Sequence, residues 1–367
     1  MSIYLDYAAT TPLDAEVFDE MLPYLKSDFG NADSLHAYGR RAAYAVENAR
    51  ERISAVLGVK PAEVYFTSGG TEADNWAVRC LGEGGACVSA IEHHAVLESA
   101  PLRAGGYCTL PVKRDGVVDL QRAKETLSHN VGLMCVMAVN NETGVIQPLK
   151  EISALCKANG TLLFSDCVQA AAEQDLKEIL TICDAVSLSA HKIYGPKGTG
   201  ALIVKKGAKL RPLIAGGQQE RKLRGGTLNV AGIVGFAAAL ERAQRDWEQT
   251  QAHLRGLRDL FEGKLLSILG DAVKIDGGNR VGAVSHLTFA CGGSAFLSAL
   301  DLNGVAAAAG AACAAHSALP SHVMLAMERS AEEALRGIRF SFGKYTTEAE
   351  VLNAVQIVCE TVQKQTG

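Results

Sequence analysis

Asp184-Ala-Val-Ser-Leu-Ser-Ala-His191-Lys192-Ile-Tyr-Gly195-Pro-Lys-Gly-Thr-Gly200 carries an apolar, strand-like run into a His-Lys pair at the mouth of a glycine-rich turn, and a second apolar run, Ala201-Leu-Ile-Val204, follows. A lysine delivered to such a place can be partly desolvated, which lowers its pKa and frees the amine to form a Schiff base. A surface lysine after a strand is the plainer explanation of the same residues, and the rest of the chain decides between the two.

Outward from Lys192, apolar runs alternate with helical patterns: Glu63-Val-Tyr-Phe66, Ala86-Cys-Val-Ser89, Leu133-Met-Cys-Val-Met-Ala138, Thr161-Leu-Leu-Phe164 and Ala185-Val-Ser-Leu188. Runs that are continuously apolar, not alternating, imply a sheet covered on both faces, hence an α/β fold with a mostly parallel sheet. Residues 36–57 read as an amphipathic helix ended by Gly58. From Val230 to about Gly270 the pattern is mostly helical and charged on one face, a connection to a second, smaller α/β domain. The expected division is a large domain over 14–250 and a small one made of 1–13 and 251–367.

Ligands of parallel α/β sheets collect beyond the carboxyl ends of the strands. Four strand ends carry polar residues able to meet Lys192 there. Thr67-Ser-Gly-Gly70-Thr71-Glu72 offers close backbone approach, helix-start N–H groups and a hydroxyl for a phosphate, without the spacing of a P-loop. An ordinary strand–turn–helix junction reads equally well. Ile91-Glu92-His93-His94 offers an imidazole to stack on a planar ring. Two adjacent histidines diverge in most backbones and make a poor metal site, and an ordinary loop histidine is the alternative. Val139-Asn140-Asn141-Glu142-Thr143-Gly144 offers side-chain amides for a carboxylate or ring hydroxyl, or else a turn. Phe164-Ser165-Asp166-Cys167-Val168-Gln169 places an acid at the end of a buried strand, costly unless it meets a cation or donor such as a protonated pyridine nitrogen, with Gln169 in reach of a ring oxygen; a helix cap is the alternative. Phosphate cradle, stacking imidazole, acidic partner and desolvated lysine together describe a site for pyridoxal 5′-phosphate (PLP), in which the protein sets the orientation and protonation of the cofactor.

Composition leaves that reading undisturbed. The chain has 367 residues, with 36 Lys+Arg against 40 Asp+Glu, so no electrostatic case arises for nucleic acid or an anionic membrane as partner. No apolar run reaches spanning length, and Met1-Ser-Ile-Tyr-Leu-Asp6 lacks the features of a signal peptide, so a cytoplasmic location is expected. Ten cysteines without a CxxC pair argue against structural zinc and for small core hydrophobes in a reducing compartment. No metal is expected.

In these motifs the chain resembles the NifS/IscS-type cysteine desulfurases, in the class V aminotransferase group of fold-type I PLP-dependent transferases. The similarity runs from Tyr4-Leu-Asp6-Tyr-Ala-Ala-Thr-Thr-Pro12 through Phe66-Thr-Ser-Gly-Gly-Thr-Glu-Ala-Asp-Asn75, Glu92-His-His-Ala-Val96, Val139-Asn-Asn-Glu-Thr-Gly144, Ser189-Ala-His-Lys-Ile-Tyr-Gly-Pro-Lys-Gly198 and Arg224-Gly-Gly-Thr-Leu-Asn229 to Gly310-Ala-Ala-Cys313, Pro320-Ser-His-Val323 and Ile338-Arg-Phe-Ser-Phe-Gly343.

The resemblance implies that Lys192 holds PLP and then shuttles protons, and that Asp166 meets the pyridine nitrogen and Gln169 the ring oxygen. It gives His93 to ring stacking and catalysis. Gly70, Thr71, Ser189 and His191 would serve the phosphate, joined by Thr227 from the other subunit of a homodimer. Asn141 and Arg339 would hold the substrate carboxylate, and Cys313 would take the sulfur of L-cysteine as a persulfide, leaving alanine and passing sulfur to an acceptor protein, an iron–sulfur scaffold among the candidates. His316 stands near Cys313 in sequence.

Around Cys313 the serines usual in the family are replaced by Ala307-Ala-Ala-Gly-Ala-Ala-Cys313-Ala-Ala315; Asn31-Ala-Asp-Ser34 and Arg224-Gly-Gly-Thr227 also depart from it, and Cys167 puts a second thiol beside Asp166, where core packing is the favoured explanation. The last helical pattern stops soon before Gly367, which favours a NifS-like or specialised member. Another class V lyase or aminotransferase, or a poorly active PLP-binding sulfur-relay protein, are the other readings.

Overall fold

A computed structural model describes residues 2–127, 131–309 and 319–366. Its centre is a seven-stranded sheet. In spatial order the strands are Val64–Thr67, Gly200–Val204, Ala185–Ser189, Leu162–Asp166, Val131–Cys135, Gly85–Ser89 and Tyr107–Leu110. Only Gly200–Val204 runs against its neighbours; the other pairings are parallel. Six of these strands are the apolar runs read from the sequence. The seventh, Tyr107–Leu110, escaped notice because three of its four residues are exposed at the sheet edge.

Side chains of a strand alternate between faces, and here both faces meet a core. Val64, Phe66, Cys87, Met134, Leu163, Val186 and Ile203 join one apolar cluster, while Ala86, Val88, Leu133, Cys135, Phe164, Ala185 and Leu202 join the other, against Trp76 and Ala77. Trp76 belongs to helix Gly70–Cys80, which covers the second face. The first face lies under helices Ala37–Leu57 and Val230–Arg245, which pack on each other and, through the latter, on Ala15–Lys26. Gly58, with φ 67°, caps Ala37–Leu57 as the sequence requires.

The expectation for 230–270 needs correction. Two helices meet there, Val230–Arg245 and Trp247–Leu269, and every residue from Ala231 to Leu240 is buried. A stretch of Ala, Gly, Ile, Val and Phe with no charge before Glu241 is apolar all round because it sits between helices and sheet, not on the surface.

A second, antiparallel sheet has the order Ala308–Ala309, Gly337–Ser341, Val284–Phe289, Val273–Ile275. Helices Trp247–Leu269 and Ser294–Leu302 pack beside it, and Glu348–Thr366 packs on both helices. The strand Ile3–Tyr4 pairs parallel with Val305–Ala306, and Asp6 bridges to Ser341, so the first residues of the chain are stitched to its last strand. Among the described residues no helix is long and apolar enough to cross a membrane.

Of the nine cysteines whose surroundings are described, seven are buried as expected. Cys108, on the edge strand, is exposed, and Cys291 is intermediate. Cys167 is fully buried in the core, where burial pushes its thiol well up, in keeping with a packing role.

Candidate active site

A cavity of about 250 Å³ opens beyond the carboxyl ends of the parallel strands, where ligands of such sheets collect. Its wall brings together Gly70, Thr71, His93, Asn141, Asp166, Gln169, Ser189, His191, Lys192 and Arg339, ten residues scattered over 270 positions of sequence that the strand-end motifs and the family resemblance single out.

Lys192 ends a short 3-10 turn, Ala190–Lys192, that follows strand Ala185–Ser189. Its ammonium donates to the carbonyl of Ala8, which brings the N-terminal segment over the cavity. Burial, aided by the positive charge of Arg339 and opposed by Asp166 and Asp6, lowers its pKa to about 8. The amine is therefore much closer to its nucleophilic form at neutral pH than a surface lysine is.

Asp166 closes strand Leu162–Asp166, is 5% exposed, and accepts the N–H of Val168 at 2.8 Å. Burial raises its pKa, while that N–H, His93 and Lys192 pull it back down. Gln169 follows, its Oε1 buried without a hydrogen-bond partner among the described residues. His93 caps the short helix His94–Leu97, its Nδ1 accepting from Ala95 N–H at 3.1 Å; this leaves Nε2 as the protonated nitrogen of the neutral ring, and burial favours that neutral form.

Around the start of helix Gly70–Cys80, Gly69 adopts φ 154°, a conformation open to glycine, and a Cβ at Gly70 would stand 2.8 Å from Val168 Cγ2. Ser189 and His191 stand beside this helix start in a shallower extension of the cavity. His191 Nδ1 lies 3.2 Å from Thr10 Oγ1, and burial, with Lys192 and Lys197, lowers its pKa to about 4, so the ring is neutral. Exposed helix-start N–H groups, a hydroxyl on each side and a neutral imidazole donor form a cradle suited to a phosphate.

The opposite wall carries a buried arginine. Arg339, at the middle of strand Gly337–Ser341 and 1% exposed, donates through Nη1 to Asn141 O at 2.9 Å and through Nη2 to Asp6 Oδ1 at 2.8 Å. The neighbouring Asn140 is structural: its Oδ1 accepts from Glu142 N, Thr143 N and Thr143 Oγ1, and its Nδ2 donates to Ile91 O. The cluster is thus both a turn and a site, with Asn140 serving the first and Asn141 lining the second.

Thr227 is exposed and does not line the cavity of its own chain; its loop is tied to the cradle by the ion pair of Arg224 with Glu72, 2.8 Å, in the first turn of helix Gly70–Cys80. Cys313 and His316 lie outside the described residues.

Sequence reasoning missed Asp6, Asp74, Glu142 and His322. Asp6 could be found only by pairing it with Arg339 across 333 residues. His322 follows the Cys313 segment, donates through Nε2 to Glu92 O at 3.0 Å, and packs its ring 4.6 Å from that of His94. Its neighbour Ser321 donates to Glu142 Oε2 at 2.5 Å. The return of the chain from the Cys313 segment is thereby fixed to the cavity wall.

A buried lysine and acid facing one cavity of this α/β fold define a family as well as a site, and the Aminotransferase class-V family matches residues 3–353. The chain belongs to that family. Within it, the chain stands with the IscS/NifS-type cysteine desulfurases. It is 40% identical over 374 residues to cysteine desulfurase IscS of Dictyoglomus turgidum, covering 99% of this chain and 95% of that one. A solved NifS-like protein superposes with a TM-score of 0.90 at 32% identity, covering 99% of this chain and 100% of the other. A third relative, SspA in complex with cysteine, gives 0.80 at 30% identity over 95% of this chain and 100% of that one. The fold is accordingly the fold-type I arrangement expected from the sequence.

Proposed function

We propose that this chain is a PLP-dependent cysteine desulfurase that moves the sulfur of L-cysteine onto Cys313 as a persulfide and releases L-alanine. The observation that carries the proposal is the convergence of Lys192, Asp166 and the helix-start cradle on one cavity. That one of the relatives is described in complex with cysteine supports the choice of substrate.

The residues fit PLP. Asp166 has a buried carboxylate that accepts the Val168 N–H and is suited to a protonated pyridine nitrogen, and Gln169 Oε1, without a partner among the described residues, follows in the same turn. Gly70, Thr71, Ser189 and His191 would hold the phosphate, and His93 would lie against the ring. Bound there, PLP supplies an aldehyde for imine formation with an amine and an electron sink for negative charge at the substrate Cα.

The chain's own residues would do the rest. Arg339 spends one N–H of each Nη on Asn141 O and Asp6 and is held in place by them, and a substrate carboxylate would take its remaining N–H groups together with the Asn141 amide. Lys192, with its pKa near 8, would take the Cα proton and return one later. His93, neutral and protonated on Nε2, would pass a proton to or from the substrate thiol. The Cys313 thiolate would attack the substrate sulfur, forming the S–S bond as the carbon–sulfur bond breaks, and the electron pair of that bond would stay on carbon, which takes up a proton to become the methyl group of alanine.

Thr227 would complete the phosphate site of a second subunit. Phe29, 72% exposed and stacked on Tyr38 at 5.7 Å, together with Leu35 and Tyr44 at 91% and 73% exposed, supplies the apolar surface of such a homodimer. A large domain over 14–250, a small domain of 1–13 with 251–367, a cytoplasmic location and an acceptor protein such as an iron–sulfur scaffold complete the proposal.

Wild-type and Cys313→Ala protein incubated with L-cysteine and a reductant should differ: alanine accumulates with the first and not with the second. Equal alanine from both would remove Cys313 from the mechanism, and none from PLP-loaded wild type would turn the assignment to another class V reaction.

A further inference from the structure

Behind Asp166, two more acids lie inside the protein. Asp74, on the inner side of helix Gly70–Cys80, is 1% exposed, and Glu92 is fully buried. Ser187 stands opposite Asp166 in the parallel register of their strands, fully buried, and its Oγ lies 2.5 Å from Asp74 Oδ1. The Ser187 hydroxyl thus meets Asp74 directly and also acts as a hydrogen-bond partner that lowers the pKa of Asp166 across the strand pair. Glu92 is held by Ser89 Oγ at 2.6 Å and Met137 N–H at 2.8 Å on Oε1, with Oε2 unpartnered among the described residues.

Three carboxylates enclosed this closely cannot all be ionised, since each added charge is both desolvated and repelled by the others. The cations of the site, Lys192 and His93 when protonated, act on Asp166. Among the described residues Ser187 is the one side-chain partner of Asp74, and burial together with the charges of Asp166 and Glu92 raises the Asp74 pKa well above the ordinary range. The negative charge consequently belongs on Asp166, and the proton on Asp74.

We propose that Asp74 is a positioning residue: a neutral carboxylic acid that donates to Ser187 Oγ, turning the Ser187 hydroxyl proton toward Asp166 and so fixing that carboxylate, ionised, against the cofactor's ring nitrogen. No bond other than hydrogen bonds changes, and the proton count of the cluster stays constant. Asp74 acts only through Ser187 and Asp166. This inference rests on the PLP reading above and adds to it which second residue keeps the ring nitrogen protonated.

The test loads wild type, Asp74→Asn, Asp74→Ala and Ser187→Ala with PLP carrying ¹⁵N at the pyridine nitrogen, and records the nitrogen chemical shift and the PLP dissociation constant. Asn can donate to Ser187 as a neutral acid does, so Asp74→Asn should keep the wild-type, protonated-ring shift. Asp74→Ala and Ser187→Ala should move the shift toward unprotonated pyridine and weaken PLP binding about tenfold, the effect of one lost buried hydrogen bond. A wild-type shift in a folded Asp74→Ala protein would make Asp74 a packing residue and overturn the proposal. A shift in Asp74→Asn equal to that in Asp74→Ala would mean that Asp74 works as an anion, and would overturn it equally. Should Asp74→Ala fail to fold by circular dichroism, an unmoved shift in Ser187→Ala would do the same. Wild type that takes up no labelled PLP would remove the cofactor reading, and the relay with it, whereas failure of the variants alone leaves that reading standing.

Discussion

Glu92 shows how a single side chain couples the cavity to stability. Burial, opposed by the hydrogen bonds of Ser89 and Met137, pushes its carboxyl up from 4.5 to about 8. Between those values the folded chain holds a proton that the unfolded chain has lost, so this group's contribution to stability is present at low pH and fades as pH rises toward 8. Glu92→Gln removes the titration. In the cofactor-free protein, denaturant midpoints should show the variant gaining on wild type between about pH 5 and about pH 8; a constant difference over that range would mean that Glu92 titrates normally. Lys192 has the opposite sign: its pKa lies below that of an unfolded lysine, so it favours the folded state increasingly as pH rises from about 8 to 10.5. At this scale the sequence was only partly legible. The residues of the cradle and the lysine stand in local motifs and could be read. Asp74 and Glu92 stand in motifs too, but nothing in a helical or loop pattern tells that an acid faces inward toward another acid.

Among the elements, the loop before Thr227 is held by several constraints at once. Glu220, Arg221 and Lys222 take φ values of 45°, 59° and 68°, a run of left-handed residues without a glycine. Arg50, from helix Ala37–Leu57, holds Glu220 with two N–H groups at 2.7 and 3.0 Å, Phe66 N–H adds a third donor, and Arg221 lies over the Tyr65 ring at 4.1 Å. The Arg50 and Glu220 side chains are 4% and 0% exposed, so removing one partner leaves an uncompensated buried charge. Arg50→Ala should cost about 3–5 kcal/mol in chemical denaturation; a loss below about 1 kcal/mol, the value of an exposed pair, would show that water reaches Glu220. Helix Ala37–Leu57 was legible because one face is apolar and a glycine ends it. Strand Tyr107–Leu110 was not, because an edge strand with exposed residues lacks the apolar run that marks its neighbours, and helix Val230–Arg245 was misread because its neighbours on every side cannot be inferred from its own residues.

For the whole molecule, two cores on the two faces of one sheet explain why the apolar runs are continuous, and the fold class followed from that pattern before any side-chain contact was known. The assembly did not follow from it, since a homodimer depends on surface shape. If the patch of Phe29, Leu35, Tyr38 and Tyr44 is where two copies meet, Phe29→Asp with Tyr44→Asp should sediment as a monomer where the wild type sediments as a dimer. The variant should also hold PLP less tightly, for want of the second copy's Thr227. A variant that stays dimeric would place the interface elsewhere.

The pairing of Asp6 with Arg339 has a consequence for how the protein is made. The two residues are 333 positions apart and share one wall of the cavity, and Lys192 donates to Ala8 on the same early segment. On the ribosome, at 5–20 residues per second, Asp6 emerges roughly 15–70 s before Arg339. The lysine and the phosphate cradle are translated well ahead of the arginine that would receive the substrate. A nascent chain can therefore build the half that would seize an aldehyde while the half that would choose the amino acid is still unsynthesised, and the order of synthesis itself delays turnover until the last strand has closed over the first.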